Sequence, residues 1–144
     1  MTGTPAEATV RALFAAFAAR DVDAALELSH PDVELWAQPT AEVVERREPY
    51  RGHDGVRAYF ADVERAWEAF SVEPDDFRVA GGGVIAFGHA EGRARGEDVA
   101  RRLPVIWVFR LRDGLVVFCR VARTAAEATE LATAVDHRTT REAP

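Results

Sequence analysis

The chain has 144 residues, 48% of them hydrophobic and 29% charged, which suits a single domain with one core. Its formal net charge of −6 argues against a general affinity for nucleic acid or for an anionic membrane. All 18 basic residues are Arg, which excludes Schiff-base chemistry, pyridoxal anchoring and a P-loop lysine. The two serines, Ser29 and Ser71, lie outside any G-x-S-x-G motif, and there is no Asn to act as a ligand or glycan acceptor. Cys119 is the single cysteine, so an internal disulfide and a Cys-pair zinc site are ruled out. The longest apolar run, 12–19, is too short to span a bilayer, and no ordered signal-peptide pattern is present. A cytoplasmic location is the expectation.

Thr4-Pro5-Ala6-Glu7 predicts a capping box that opens a first helix, and Val10, Leu13, Phe14 and Phe17 give it one apolar stripe. Asp21 is placed to cap a second, short helix, which His30-Pro31-Asp32 ends. A strand is expected over 33–38 and a loop over 39–51. His53-Asp54 reads as the cap of a third helix over 54–69, with Val56, Phe60, Val63 and Trp67 on its inner stripe and Tyr59 alongside.

The period then changes to two. Phe77 and Val79 end one strand, and Gly81-Gly82-Gly83 turns the chain. In the strand over 84–95, Ile85, Phe87, His89, Glu91 and Arg93 share a face. In the next, Leu103, Val105, Trp107, Phe109 and Leu111 share one, with Ile106, Val108, Arg110 and Arg112 behind. Asp113-Gly114 is a two-residue hairpin turn. The strand over 115–122 is apolar on both sides, with Val116 and Phe118 expected opposite Cys119 and Val121. Thr124-Ala125-Ala126-Glu127 opens a last helix through Ala128, Leu131 and Val135. Residues 1–135 thus form one expected domain, followed by a polar, frayed tail over 136–144. The order predicts an α+β fold, a curved antiparallel sheet wrapped around helices. Because the sheet is apolar on both faces and the helices can cover only one, a homodimer through the sheet is expected.

The run from Val10 to Asp21 with His30-Pro31-Asp32 resembles the opening of SnoaL-like proteins of the nuclear transport factor 2-like superfamily. Tyr50-Arg-Gly-His-Asp-Gly-Val-Arg57 is similar to that family's glycine-bounded start of its third helix. Trp107-Val-Phe-Arg-Leu-Arg-Asp-Gly114 with Glu127-Ala128 resembles its closing hairpin and helix. The resemblance implies a cone-shaped, cystatin-like α+β barrel with an open-ended pocket, usually dimeric. Its members include steroid isomerases, polyketide cyclases, dehydratases and epoxide hydrolases, so the fold alone decides no function. The ketosteroid isomerases use a Tyr in the first helix, an Asp base in the first strand and a protonated Asp in a later strand. Those places fall here on Leu13, on Ala37 or Gln38, and on Trp107, none of which can do that work.

By the same resemblance the row containing His89 and Glu91 faces the pocket. A His beside a carboxylate in an apolar cavity suits general acid/base chemistry; a solvated rim with Glu91 paired to Arg93 is the bland alternative. Trp36, Trp107, Phe14, Phe17, Phe60, Trp67 and Phe109 would wall a pocket for an aromatic or polycyclic ligand, or simply pack a core. Gln38 could donate a hydrogen bond to that ligand or satisfy a strand end. Cys119 lies in the same face series as Val121 and Arg123 and reads more readily as an inert core thiol than as a nucleophile. Arg123 could clamp an acidic group at the mouth or pair with a surface carboxylate. No third ligand completes a metal site around His89 and Glu91, so neither metal nor cofactor is expected.

Three readings follow. One is a cofactor-free isomerase, cyclase or dehydratase using His89 and Glu91 on a hydrophobic substrate. The second is a non-catalytic module binding a hydrophobic small molecule in the same pocket. The third is a structural dimer whose aromatics fill the pocket.

Overall fold

The computed structural model describes residues 4–134. Thr4 accepts a 3.0 Å hydrogen bond from the Glu7 N–H and caps α1 (Pro5–Ala18). Glu7 reaches forward to Arg11 at 2.8 Å. The chain reverses at Arg20, where φ is 55°. Its guanidinium donates to the carbonyls of Phe17 (2.6 Å) and Phe70 (2.7 Å), pinning the turn to the sheet. Asp21 caps α2 (Val22–Leu28) through the Ala24 N–H, and β1 (Ser29–Trp36) follows directly.

The stretch expected to be a loop over 39–51 contains a helical turn, α3 (Thr40–Val43), and a two-residue strand, β2 (Tyr50–Arg51). Both are too short to leave a periodic signature. In α4 (Gly52–Ala66), Gly52 takes a left-handed φ of 69°. A Cβ on Gly55 would stand 2.7 Å from the Tyr50 carbonyl carbon. The His53-Asp54 cap does not form. His53 Nε2 donates to the Ser29 carbonyl at 2.8 Å and Asp54 pairs with Arg57.

The helix ends at Ala66 and not at Ala69, and Trp67 opens β3 (Trp67–Ala80). Trp67 stands four residues after Val63 and so extends the helical stripe in sequence, which hides the true end. β4 (Gly83–Ala94), β5 (Arg101–Arg112), β6 (Leu115–Ala122) and α5 (Ala125–Thr133) complete the fold. The strands lie in the order β2-β1-β6-β5-β4-β3. Only the β1–β6 pairing among them is parallel. Asp113 and Gly114 both take positive φ (56° and 78°), as a primed hairpin turn requires.

One face of the sheet closes over α1, α2 and α4 in the main core, which contains Val10, Phe17, Phe60, Val84, Ala86, Trp107 and Phe109. On the other face α5 packs Ala128 and Ala132 against Ile85, Val108 and Ala122. The outer face is therefore partly covered by the chain's own last helix. The strand β6 departs from strict alternation. Leu111 pairs with Val116 but Arg110 pairs with Phe118, leaving Val117 as an extra residue. That bulge turns Val116 inward beside Cys119, and of the expected pair only Phe118 faces outward, under the Arg110 guanidinium at 4.1 Å. Val135 and the expected tail over 136–144 lie outside the described residues.

Candidate functional site

Between the helices and the inner face of the sheet lies a half-open cavity of about 100 Å³. α1 supplies Leu13, Phe14 and Phe17, spaced as its apolar stripe dictates, and α4 supplies Val56, Tyr59 and Phe60. β1 and the turn after it bring Val33, Leu35, Trp36, Ala37 and Gln38, and β5 brings Trp107 and Phe109. β6 adds Val116, Cys119 and Val121. The aromatic wall is interlocked edge to face. Phe14 meets Trp107 at 5.1 Å and Phe109 at 5.6 Å between ring centroids, and Phe17 meets Phe60 at 5.6 Å.

Of the residues expected to bind a ligand, Trp36, Gln38, Phe14, Phe17, Phe60, Trp107, Phe109 and Cys119 come together around this cavity. So do Leu13, Ala37, Gln38 and Trp107, on which the sequence resemblance places the three catalytic groups of ketosteroid isomerases, with Ala37 or Gln38 at the place of the base. Trp67 does not line it; it stacks on Phe70 at 4.8 Å beside a separate cavity. Arg123 is exposed at the end of β6, outside the cavity lining, and its N–H donates to Glu127 at 2.6 Å.

The expected orientation of His89 and Glu91 is overturned. Val84, Ala86 and Ala90 face the inner core, whereas Ile85 and Phe87 pack in the outer cluster under α5, and His89 and Glu91 continue that outer row. His89 does not orient on Glu91 either. Its Nε2 lies 2.6 Å from Glu73, directly across on β3, and its Nδ1 3.6 Å from Asp75. Glu91 pairs with Arg102 at 3.7 Å. Among the described residues lining the cavity there is no His, Asp, Glu or Arg. Nor do the described residues include a group of three or more His, Cys, Asp or Glu side chains able to hold a metal ion.

The cavity's polar groups are therefore few. The Ser29 hydroxyl is committed to the Ala25 carbonyl at 2.8 Å. The Trp36 indole N–H is held by Glu34 at 2.6 Å, and Arg51 braces the same carboxylate at 3.2 Å. Gln38, Tyr59 and Cys119 remain. Burial pushes the Cys119 thiol up to about 12. Burial, reinforced by the nearby thiol, also raises the Tyr59 phenol, and the Thr40 side chain opposes this only in part. Both groups stay protonated near neutrality, so neither is a base. In the sequence Tyr59 stands out only as a neighbour of the inner stripe. Its position three residues after Val56 was the available signal.

A second polar anchor lies behind α4. Tyr50 is 1% exposed and donates to Asp62 at 2.7 Å. Burial works against the Asp62 charge, but hydrogen bonds from Arg65 and Tyr50 outweigh it and hold the carboxyl below its ordinary value. The Arg46 guanidinium covers the Tyr50 ring at 4.0 Å.

Among the described residues no helix is long and apolar enough to cross a membrane. No curated protein matches the sequence. Solved structures do. An NTF2-like protein of unknown function from Burkholderia pseudomallei is 25% identical, with a TM-score of 0.75 over 92% of this chain and 100% of its own. TerC, co-crystallised with polyporic acid, is 23% identical, with a TM-score of 0.73 over 90% of this chain and 98% of its own. Rv0760c from Mycobacterium tuberculosis, in complex with estradiol-17beta-hemisuccinate, is 15% identical, with a TM-score of 0.69 over 86% of this chain and 97% of its own. The SnoaL-like domain family matches residues 10–119, and the chain belongs to that family.

Proposed function

We propose that this protein binds a flat, mainly apolar small molecule in the inner cavity, with one or two rings enclosed between α1, α4 and β5. The observation that carries this reading is the lining itself: interlocked aromatic rings, few polar groups and no ionisable base. A volume of about 100 Å³ is below the ~300 Å³ at which drug-sized ligands are enclosed, so a larger ligand would project through the mouth. Two proteins of the same fold, TerC and Rv0760c, hold small organic molecules, which supports the class of ligand without naming it. Acid/base catalysis of isomerisation, cyclisation or dehydration is the less favoured reading. The cavity offers proton donors but no group that accepts a proton near neutrality. The sheet-to-sheet dimer remains a proposal for the outer surface that α5 leaves bare, and sedimentation velocity tests it.

The test is a fluorescence titration with 2-acetylnaphthalene, a two-ring ketone. Saturable binding is expected. Ala37→Leu, which fills the cavity, should abolish it, and Trp107→Phe should weaken it. His89→Ala should leave it unchanged. Binding that survives Ala37→Leu but fails in His89→Ala would overturn the proposal.

A further inference from the structure

We infer that the ligand site has two compartments and takes an elongated molecule, with a fused-ring body in the inner cavity and an apolar arm in a second cavity beside it. The inference rests on the reading of the inner cavity as a small-molecule site. The second cavity has about 210 Å³ and lies along the same face of the sheet. On β5 the inward row runs Leu103, Val105, Trp107 and Phe109. Trp107 and Phe109 wall the inner cavity, and Leu103 walls the second. On β3, Val72 belongs to the first and Phe70, two residues earlier, to the second. One short stretch of chain borders both, Ala37 and Gln38 at the first and Pro39 and Val43 at the second. The cavities are thus successive lengths of one trough, separated by roughly 7–13 Å at strand spacing.

The second compartment is built to stay open and apolar. Its floor on β4 is the small row Ala90, Gly92 and Ala94. A Cβ on Gly92 would stand 2.7 Å from the Trp67 ring, so only glycine lets the stacked Trp67 and Phe70 lie this close to the strand. The Trp67 Nε1–H donates to Thr40 Oγ1 at 3.0 Å, and an indole has no other polar group, so the ring offers the cavity only apolar surface. Large hydrophobic side chains are exposed at four places among the described residues, and two of them, Val43 (41%) and Leu103 (45%), stand at this cavity. Apolar side chains left open around a hollow mark a binding place. Glu42, Glu97 and Arg101 edge it, which puts any polar end of the arm at the rim. The two compartments together reach the ~300 Å³ from which drug-sized ligands are enclosed, and neither does so alone.

The experiment compares 2-acetylnaphthalene with its benzyl-extended form, 1-(2-naphthyl)-3-phenylpropan-1-one. The ratio of the two dissociation constants is measured in the wild type, Leu103→Ala and Ala94→Leu, so that each ligand's own hydration cancels between proteins. The extended ketone should bind the wild type about tenfold more tightly. Ala94→Leu, which fills the second cavity, should cut that gain to about threefold or less, and Leu103→Ala should lower it in part. Neither variant should change the affinity for 2-acetylnaphthalene. Leu103 is half-exposed, so its truncation leaves the core intact. In a nuclear magnetic resonance map the extended ketone should add shifts at Leu103, Val43 and the Trp67 indole to those caused by the shorter one.

A gain that is absent in the wild type, or equal in all three proteins, overturns the second compartment and leaves the reading of the inner cavity intact. So do added shifts that appear elsewhere while Leu103 and Trp67 stay silent. Failure of the folded wild type to bind either ketone overturns both this inference and the reading beneath it.

Discussion

Removing the hydroxyl of Tyr50 tests whether α4, which carries Tyr59 and Phe60 into the cavity, is anchored electrostatically. The Tyr50 hydroxyl lies 2.7 Å from an Asp62 oxygen, and the two residues are 1% and 8% exposed. A buried hydrogen bond to a charged acceptor is worth about 2 kcal/mol, and Tyr50→Phe keeps the ring and its packing. For a chain of this size that loss corresponds to a fall in Tm of about 6 °C. The Asp62 carboxyl is held below its ordinary value of 3.8, so the stability it contributes is present above that pH. It disappears as the pH falls through the lowered value. The cost of Tyr50→Phe should therefore be full at pH 7 and shrink below about pH 4. Urea unfolding of both proteins across that range measures it. A loss under about 0.5 kcal/mol at pH 7, or one that does not change with pH, would refute the reasoning.

Both tyrosines of the chain, Tyr50 and Tyr59, are raised above the ordinary value of 10.0 by burial. Native protein should therefore show no tyrosinate absorbance step near pH 10, and the two groups should withdraw stability as the pH climbs above it; a normal step at pH 10 in folded protein would contradict their burial. The Cys119 thiol, buried and pushed up to about 12, should react with a disulfide reagent at pH 8 only when the protein unfolds, and rapid native labelling would contradict that. Gly55→Ala should destabilise by about 2 kcal/mol in thermal melts, although alanine ordinarily favours a helix, because the new Cβ would meet the Tyr50 backbone at 2.7 Å. A stabilised variant would mean that this contact relaxes freely.

The aromatic wall was legible because helical spacing puts Phe14 and Phe17 on one side of α1, and strand alternation puts Trp107 and Phe109 on one side of β5. The hairpin at Asp113-Gly114 was legible because few residues accept two successive positive φ values. The orientation of β4 was not. Alternation says that His89 shares a side with Ile85 and Phe87, but not which side faces inward. The family resemblance puts the His89 row on the cavity side, whereas the inward row is the smaller one, Val84, Ala86 and Ala90, which fits beneath the packed rings of α1. Ile85 and Phe87 of the bulky row are covered by α5, which follows only after two further strands. Val116 escaped for a different reason. A single extra residue at Val117 reverses its side, and nothing in a run of valines marks a bulge. Thr40 escaped because its partner, the Trp67 indole, is distant in sequence.

The central claim is that ligand chemistry belongs to the inner face of the sheet and not to the row that contains His89. The most direct measurement is a nuclear magnetic resonance shift map of the protein on addition of 2-acetylnaphthalene. The expected result is a set of perturbations at Leu13, Tyr59, Val121 and the Trp107 indole, with His89, Glu91 and Arg102 unmoved. Perturbations centred on His89 and Arg102, with Leu13 and Trp107 silent, would contradict it.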